Sequence, residues 1–266
     1  FAALDGAAQA VKMRLSSLVV NVHHEGPAES AEKVQITYLN DEKMHQVTAD
    51  RVVMAGQQHL NKRVVTDLPE AYRAAMDEFK HSPMLTVNVA LRNWKFMDNM
   101  GVASVRWFGD NMGGWFTSLR KQMVLDGEEP MPLDPEKPTV LTLYNSFCTP
   151  GLPLHEQTVA ARMQLFSLSY ADVENEIRSQ FTKMFGPGGF DADRDIAGIT
   201  LNRQGHAYLV TPPGFFFGKD GNPPPSDVIR KPHGRIAFAH SELMGYQMWE
   251  GAAHEGDRAA KQMLQI

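Results

Sequence analysis

Two periodicities alternate along the chain. Residues 34–39 alternate apolar and polar positions and are followed by the turn-forming pair Asn40-Asp41. In an extended backbone that alternation puts the apolar side chains on one face. With a β-rich run at 15–22 and a short one at 46–48, it predicts a small antiparallel meander. Residues 49–56 lose the alternation: Val52, Val53 and Met54 stand in a row before Gly56, the pattern of a buried strand covered on both faces. A helix is predicted over 68–79, with Pro69 near its start. Strands are predicted at 84–91 and 140–144, separated by an aromatic and glycine-rich stretch. Helices are predicted at 160–166 and, more strongly, at 170–185, where Val173, Ile177, Phe181, Met184 and Phe185 recur at helical spacing. The run Gly186-Pro187-Gly188-Gly189 ends that helix. Residues 196–202 and 207–210 read as two strands that pair with each other. Rigid proline loops follow at 211–214 and 222–225, then a short buried strand at 235–239 and a final helix from Gly251 to about Leu264.

The result is a mixed α/β chain, divided into 1–81, 82–195 and 196–266. The outer two segments return to one sheet, and the middle one adds a second layer. Its 266 residues, 43 % of them hydrophobic, suffice for a sizeable core. A net charge of −5 argues against a broad nucleic-acid surface, which needs clustered lysine and arginine. No apolar run reaches the length that spans a bilayer. The single cysteine, Cys148, rules out an internal disulfide and an all-cysteine metal site. It reads as buried or incidental, and a count of one suits a reducing compartment; a cytoplasmic or a periplasmic location is expected. His23, His24 and His254 have no ligand partner at metal spacing, so no metal site is expected. The chain opens at Phe1 rather than methionine, which suggests a processed or trimmed start, or one chain of a split enzyme.

The sharpest chemical signal is the block Gly234-Arg235-Ile236-Ala237-Phe238-Ala239-His240-Ser241-Glu242, followed by Gly251-Ala252-Ala253. It predicts a strand, a loop with an acid, and a helix that opens on small residues. A helix start offers unpaired N–H groups and a positive dipole end to a negatively charged group. A carboxylate on the preceding loop accepts hydrogen bonds from sugar-like hydroxyls. Taken alone, these features equally describe ordinary packing and a solvated loop acid.

As a whole the block resembles the closing motif of the FAD-dependent amine oxidase superfamily, with His240 and Ser241 departing from its commoner single glycine before the acid. The strands at 34–39 and 49–55 are similar to that superfamily's excursion from, and return to, its FAD domain. Residues 84–94, 194–199 and 202–208 look like its spermidine dehydrogenase-like members. The resemblance implies the C-terminal part of a two-dinucleotide-binding, Rossmann-like flavoprotein with a substrate domain of mixed sheet and helices. It implies FAD as cofactor and oxidation of a C–N bond of an amine, a polyamine or an amino acid, by hydride transfer. Glu242 would hold a ribityl hydroxyl, with Ala239 and His240 as adjoining contacts. Gly251, Ala252 and Ala253 would face the pyrimidine side of the ring, and Val20 would touch the adenine through its backbone. His206, Tyr208 and Trp249 would line the substrate side. Trp94, Trp107, Trp115, Phe116, Phe215 and Phe216 are further aromatic candidates for that wall. No Gly-x-Gly-x-x-Gly follows a first strand, and that turn is what lets a backbone approach a pyrophosphate. A companion polypeptide carrying the missing half is therefore expected. The alternative is a non-catalytic scaffold subunit of the same fold.

Overall fold

The computed structural model describes residues 2–6, 8, 10–109, 113–119, 127 and 133–266. The chain forms two compact units: residues 1–80 with 209–266, and residues 81–208.

The first unit opens with the expected meander, β1 (Leu18–His24), β2 (Val34–Asn40) and β3 (Lys43–Ala49), in the order β1-β2-β3. The β1–β2 register slips between Val19 and Asn21, so Val20 is the extra residue of a bulge, left out of the ladder. Strand β4 (Val52–Met54) and helices α1 (Gln58–Val64) and α2 (Glu70–Asp77) follow, with Pro69 as the N-cap of α2.

In the second unit β5 (Lys80–Leu91) is joined by α3 (Lys95–Asn99), β6 (Ser104–Gly109), β7 (Gly113–Ser118), β8 (Thr139–Ser146), α4 (Leu154–Ser167), α5 (Tyr170–Phe185), α6 (Ala192–Asp195) and β9 (Ile196–Val210). Its five strands run in the order β6-β7-β8-β5-β9. Strict alternation makes β5 a strand with one buried face, carrying Leu85, Val87, Val89 and Leu91. That face packs with Val173, Ile177, Phe181 and Phe185 of α5 in one core. Each side chain so buried contributes about 1.5–3 kcal/mol. Ser169 and Asp172 set the start of α5 as a capping box, each side chain bonded to the other residue's backbone N–H.

The structure corrects the expected pairing of 196–202 with 207–210: both belong to the single 15-residue strand β9. Gly205 does not turn the chain. A Cβ there would lie 3.1 Å from the Phe166 ring, so the glycine admits a neighbouring aromatic. The chain re-enters the first unit with α7 (Pro225–Ile229), β10 (Ile236–Phe238) and α8 (Trp249–Leu264).

Strands β4 and β10 pair in parallel, Val52 with Ile236 and Met54 with Phe238. Strand β10 is buried throughout. In β4, however, Val53 is 38 % exposed, so the expectation of a strand covered on both faces fails. Among the described residues β10 is the only strand paired with β4. Cys148, expected to be buried or incidental, is exposed. No helix is long and apolar enough to cross a membrane among the described residues.

Candidate functional site

Strand β10 delivers the acid singled out from the sequence. Ala239 extends the β4 ladder, its N–H donating to the Met54 carbonyl at 2.9 Å. The chain then breaks at His240, whose φ of 148° and ψ of 147° lie in a region open essentially to glycine alone. A 3₁₀ turn over Ser241–Met244 follows, capped by His240: its Nδ1 accepts the Glu242 N–H at 3.2 Å. Gly245, at φ 83°, ends the turn, where any Cβ would strike the Phe216 ring. Glu242 has no solvent exposure. The reading of it as a solvated loop acid is therefore excluded. Its Oε1 accepts the backbone N–H of Gln58 and lies 3.7 Å from His240 Nδ1. Beside it Asn61 Nδ2 donates to the Gly56 carbonyl at 2.9 Å and to Gln58 Oε1 at 3.1 Å. Among the described residues, the buried Gln58 Nε2 has no hydrogen-bond partner.

Helix α8 begins at Trp249, two residues before the expected start. The Ala252 N–H is already bonded to the Met248 carbonyl at 3.1 Å. The open N–H groups are consequently those of Trp249, Glu250 and Gly251, while Ala252 and Ala253 present exposed methyl groups. Gly251 is buried, with room for a Cβ in ordinary contact with Met244 and Ser241. The helix is anchored by Glu255, which has no exposure. Its Oε1 accepts Arg230 Nε at 3.0 Å and Nη2 at 2.8 Å, and its Oε2 accepts Arg258 Nε at 2.8 Å. The two arginines reach on to the Leu243 and Phe238 carbonyls. This buried triad thus ties α8 to both ends of the loop that carries Glu242.

Helical or strand spacing did not reveal a cluster around His24. The expectation that His24 lacks a partner is corrected: Asp67 and His233 bring ligand atoms within 4.8 Å of one another and of its ring. The hydrogen bonds oppose metal binding at this ring. His24 Nδ1 donates to Asp67 Oδ2 at 2.7 Å, and Nε2 accepts the Arg235 N–H at 3.0 Å. Ligation through Nδ1 would move the ring proton to Nε2, directly against that N–H, whereas a metal-bound histidine needs an acceptor there. His233 Nε2 sits 3.1 Å from the Asp67 carbonyl. Burial holds the His233 ring below the ordinary histidine value despite the Asp67 charge. Burial raises Asp67, but hydrogen bonds from the His24 backbone and ring outweigh it and hold the carboxyl low.

In the second unit His206 and Tyr208 lie on β9, both exposed. His206 meets the buried His81 edge to face, with ring centroids 5.6 Å apart. Arg162 Nη1 donates to the His81 carbonyl at 2.9 Å, and burial lowers that guanidinium. His81 carried no sequence signal of its own; only the alternation of β5 could have marked it as inward-facing.

Of the aromatic candidates in the first unit, Trp249 is 80 % exposed and Phe216 is exposed, while Phe215 is core. In the second unit Trp94 and Trp107 belong to the core, which removes them as walls. The side chains of Trp115 and Phe116 lie outside the described ones. Val20 is partly exposed at its bulge. A separate cavity of about 640 Å³ opens between α2 and the proline loop, with Ala71, Glu78, Pro213 and Lys219 on its walls. Of the expected cofactor or substrate residues, Phe215 alone lines it.

Comparison with known proteins places this geometry. The model of the family "Flavin containing amine oxidoreductase" matches residues 2–264. No curated protein sequence matches. Among solved structures, cyclohexylamine oxidase from Brevibacterium oxydans superposes with a TM-score of 0.60 at 16 % identity, over 93 % of this chain and 48 % of that one. A double mutant of putrescine oxidase with redesigned cofactor binding gives 0.60 at 18 % identity, over 94 % and 49 %. A triple mutant gives 0.60 at 19 % identity, over 94 % and 49 %. At these identities the likeness concerns the fold. The chain spans about half the length of the solved structures it matches. In them the counterpart of this chain and the remaining half are one polypeptide, which overturns the expectation of a separate companion carrying the glycine-rich half.

Proposed function

The chain belongs to the flavin-containing amine oxidoreductase family, and on that premise we propose that it is the part of an FAD-dependent amine oxidase or dehydrogenase that holds the flavin and faces the amine. The observation that carries this reading is Glu242. Its carboxylate is wholly buried on the loop leaving β10, and takes one backbone N–H through Oε1. An ionised carboxylate only accepts hydrogen bonds, which makes it the complement of a hydroxyl donor. A buried carboxylate acceptor beside a buried amide donor fits a polyol such as the ribityl chain. FAD, when bound, supplies the acceptor for the hydrogen and electron pair leaving the carbon next to an amine nitrogen.

This chain's own residues then have distinct tasks. Glu242 accepts a ribityl hydroxyl, and Ala239 and His240 adjoin it. The open N–H groups at the start of α8, Gly251 among them, and the positive end of that helix favour negative charge, with Ala252 and Ala253 keeping the surface low. The bulged backbone at Val20 is the adenine contact. His206, Tyr208 and Trp249 line the substrate side, where aromatic faces exclude water and hold a partly cationic amine. In the two-dinucleotide-binding arrangement 1–81 and 196–266 serve the cofactor and 82–195 the substrate. The substrate is an amine, a polyamine or an amino acid; the resemblance to spermidine dehydrogenase-like members supports the polyamine.

The test is flavin retention by the natural polypeptide. Glu242→Ala should lose FAD on dialysis while the protein stays folded by circular dichroism. Full flavin content in that variant would overturn the reading. Trp249→Leu should alter turnover or preference among amines with FAD still bound.

A further inference from the structure

The cavity between α2 and the proline loop measures about 640 Å³, within the range of about 300–1,000 Å³ typical of small-molecule sites. It contains none of the residues proposed above to hold FAD or to line the substrate side. Ala71, Ala74, Ala75 and Glu78 make one wall. They stand at i, i+3, i+4 and i+7, hence on one face of α2, and the alanine methyl groups leave that face low. The other wall is stiff. Pro212, Pro213, Pro223 and Pro225 line it, and each ring fixes its own φ. The Gly218 N–H donates to the Gly214 carbonyl at 2.8 Å, and the backbones of Lys219 and Asn222 bond each other in both directions, at 3.1 and 2.9 Å. Gly214, at φ 93°, has no room for a Cβ, which would lie 2.7 Å from that of Lys219. A low helix face beside a loop too rigid to fold onto it keeps the cavity open.

Charge selects the ligand. Glu78, Lys219 and Asp220 are exposed and line the cavity. Among the described residues none of the three forms an ion pair or a side-chain hydrogen bond, whereas Asp77, next to Glu78, is paired with Lys62. Two acids against one base leave the cavity negative. Glu78 is also the C-cap of α2, which has no basic residue in its last turn. The negative end of the helix dipole therefore adds to the carboxylate, and a cation is favoured there. Phe215 and Val228 extend the apolar lining. We propose that this cavity binds a small organic cation, an ammonium with an apolar body. The body lies between the alanine face and the prolines, and Glu78 and Asp220 meet the charge. Lys219 opposes that charge and limits the affinity. The proposal does not depend on the reading of Glu242 above.

The experiment is calorimetric titration of the natural polypeptide, loaded with its flavin, with benzyltrimethylammonium. A quaternary nitrogen has no neutral form to be oxidised, so binding is read without turnover. Saturable binding with a Kd of about 0.1–1 mM is expected. Ala74→Phe fills the cavity from the α2 face and should abolish it. Glu78→Gln and Asp220→Asn keep the shape of each side chain and guard against a misfolded phenylalanine variant. Each should raise the Kd about two- to fivefold, the worth of a solvent-exposed ion pair. Lys219→Met removes the like charge and should lower the Kd by a similar factor. Phenylacetate, of similar size and opposite charge, should bind more weakly than the cation. No saturable binding by the wild type, or wild-type affinity in Ala74→Phe, would overturn the site. Unchanged affinity in both acid variants, or a preference for phenylacetate, would overturn the choice of a cation.

Discussion

Replacing His240 by glycine and, separately, by alanine should give stabilities in the reverse of the usual order. At an ordinary position alanine is the more stable of the two by about 0.4–1 kcal/mol, because glycine leaves the unfolded chain more freedom. His240 is not at an ordinary position: φ 148° and ψ 147° cost a residue with a Cβ about 1–3 kcal/mol. Both variants lose the imidazole acceptor that caps the Glu242 N–H, so that loss cancels between them. The difference isolates the backbone, and His240→Gly should exceed His240→Ala by about 1–2 kcal/mol once the entropy of glycine is subtracted. Against wild type, the relieved strain offsets a lost cap of about 0.5–2 kcal/mol, so His240→Gly should stay within about 1 kcal/mol of it. Urea unfolding of flavin-free protein is the assay, since bound ligand adds its own stabilisation. Equal slopes are required for the midpoints to be compared. An alanine variant as stable as the glycine one would refute the assignment of strain to this residue.

Glu255→Ala should destabilise the first unit by about 3–5 kcal/mol, because it leaves Arg230 and Arg258 without the buried carboxylate between them; a loss below about 1 kcal/mol in urea unfolding would count against a structural triad. Acid should act in two stages. His233 has its folded value depressed by burial, so the unfolded chain binds its proton first, and stability should begin to fall as pH drops below about 6.5. Asp67 is also held low in the fold, where hydrogen bonds from His24 outweigh burial. Its stabilisation is present above about 3.9 and is lost as pH falls through the folded value. His233→Gln should flatten the first stage in a pH series of urea midpoints and leave the second; an unchanged profile would remove His233 as its source. Gly188→Ala should cost about 1–3 kcal/mol by overpacking, since its Cβ would sit 2.3 Å from the Phe96 carbonyl oxygen and against the Met100 side chain; an unshifted thermal melt would contradict that packing.

The sequence by itself determined what depends on neighbours a few residues away. Helical spacing over 170–185 matches α5, and alternation over 84–91 is the inward face of β5. Strand, acid and helix succeed one another at 235–264 as read. Backbone geometry encodes such patterns locally, with a repeat of 3.6 residues or of two, and a family motif follows the same short range. Even there, the strain at His240 was hidden, because residue identity shows a departure from glycine but not the dihedral angle that makes it costly. Only the tertiary structure decided the rest. Gln58 meets Glu242 across 184 residues of sequence, and Asp67 meets His24 across 43 and His233 across 166. No periodicity links such positions; packing of β4 on β10 and of the α1–α2 region beside them does. Gly205 reads as a break in isolation, yet β9 runs through it, and the Phe166 ring occupies the space a side chain there would need. Burial likewise turned Glu242 from a solvated loop acid into a wholly enclosed one. Exposure is a property of the folded surface, and no residue carries it in its own name.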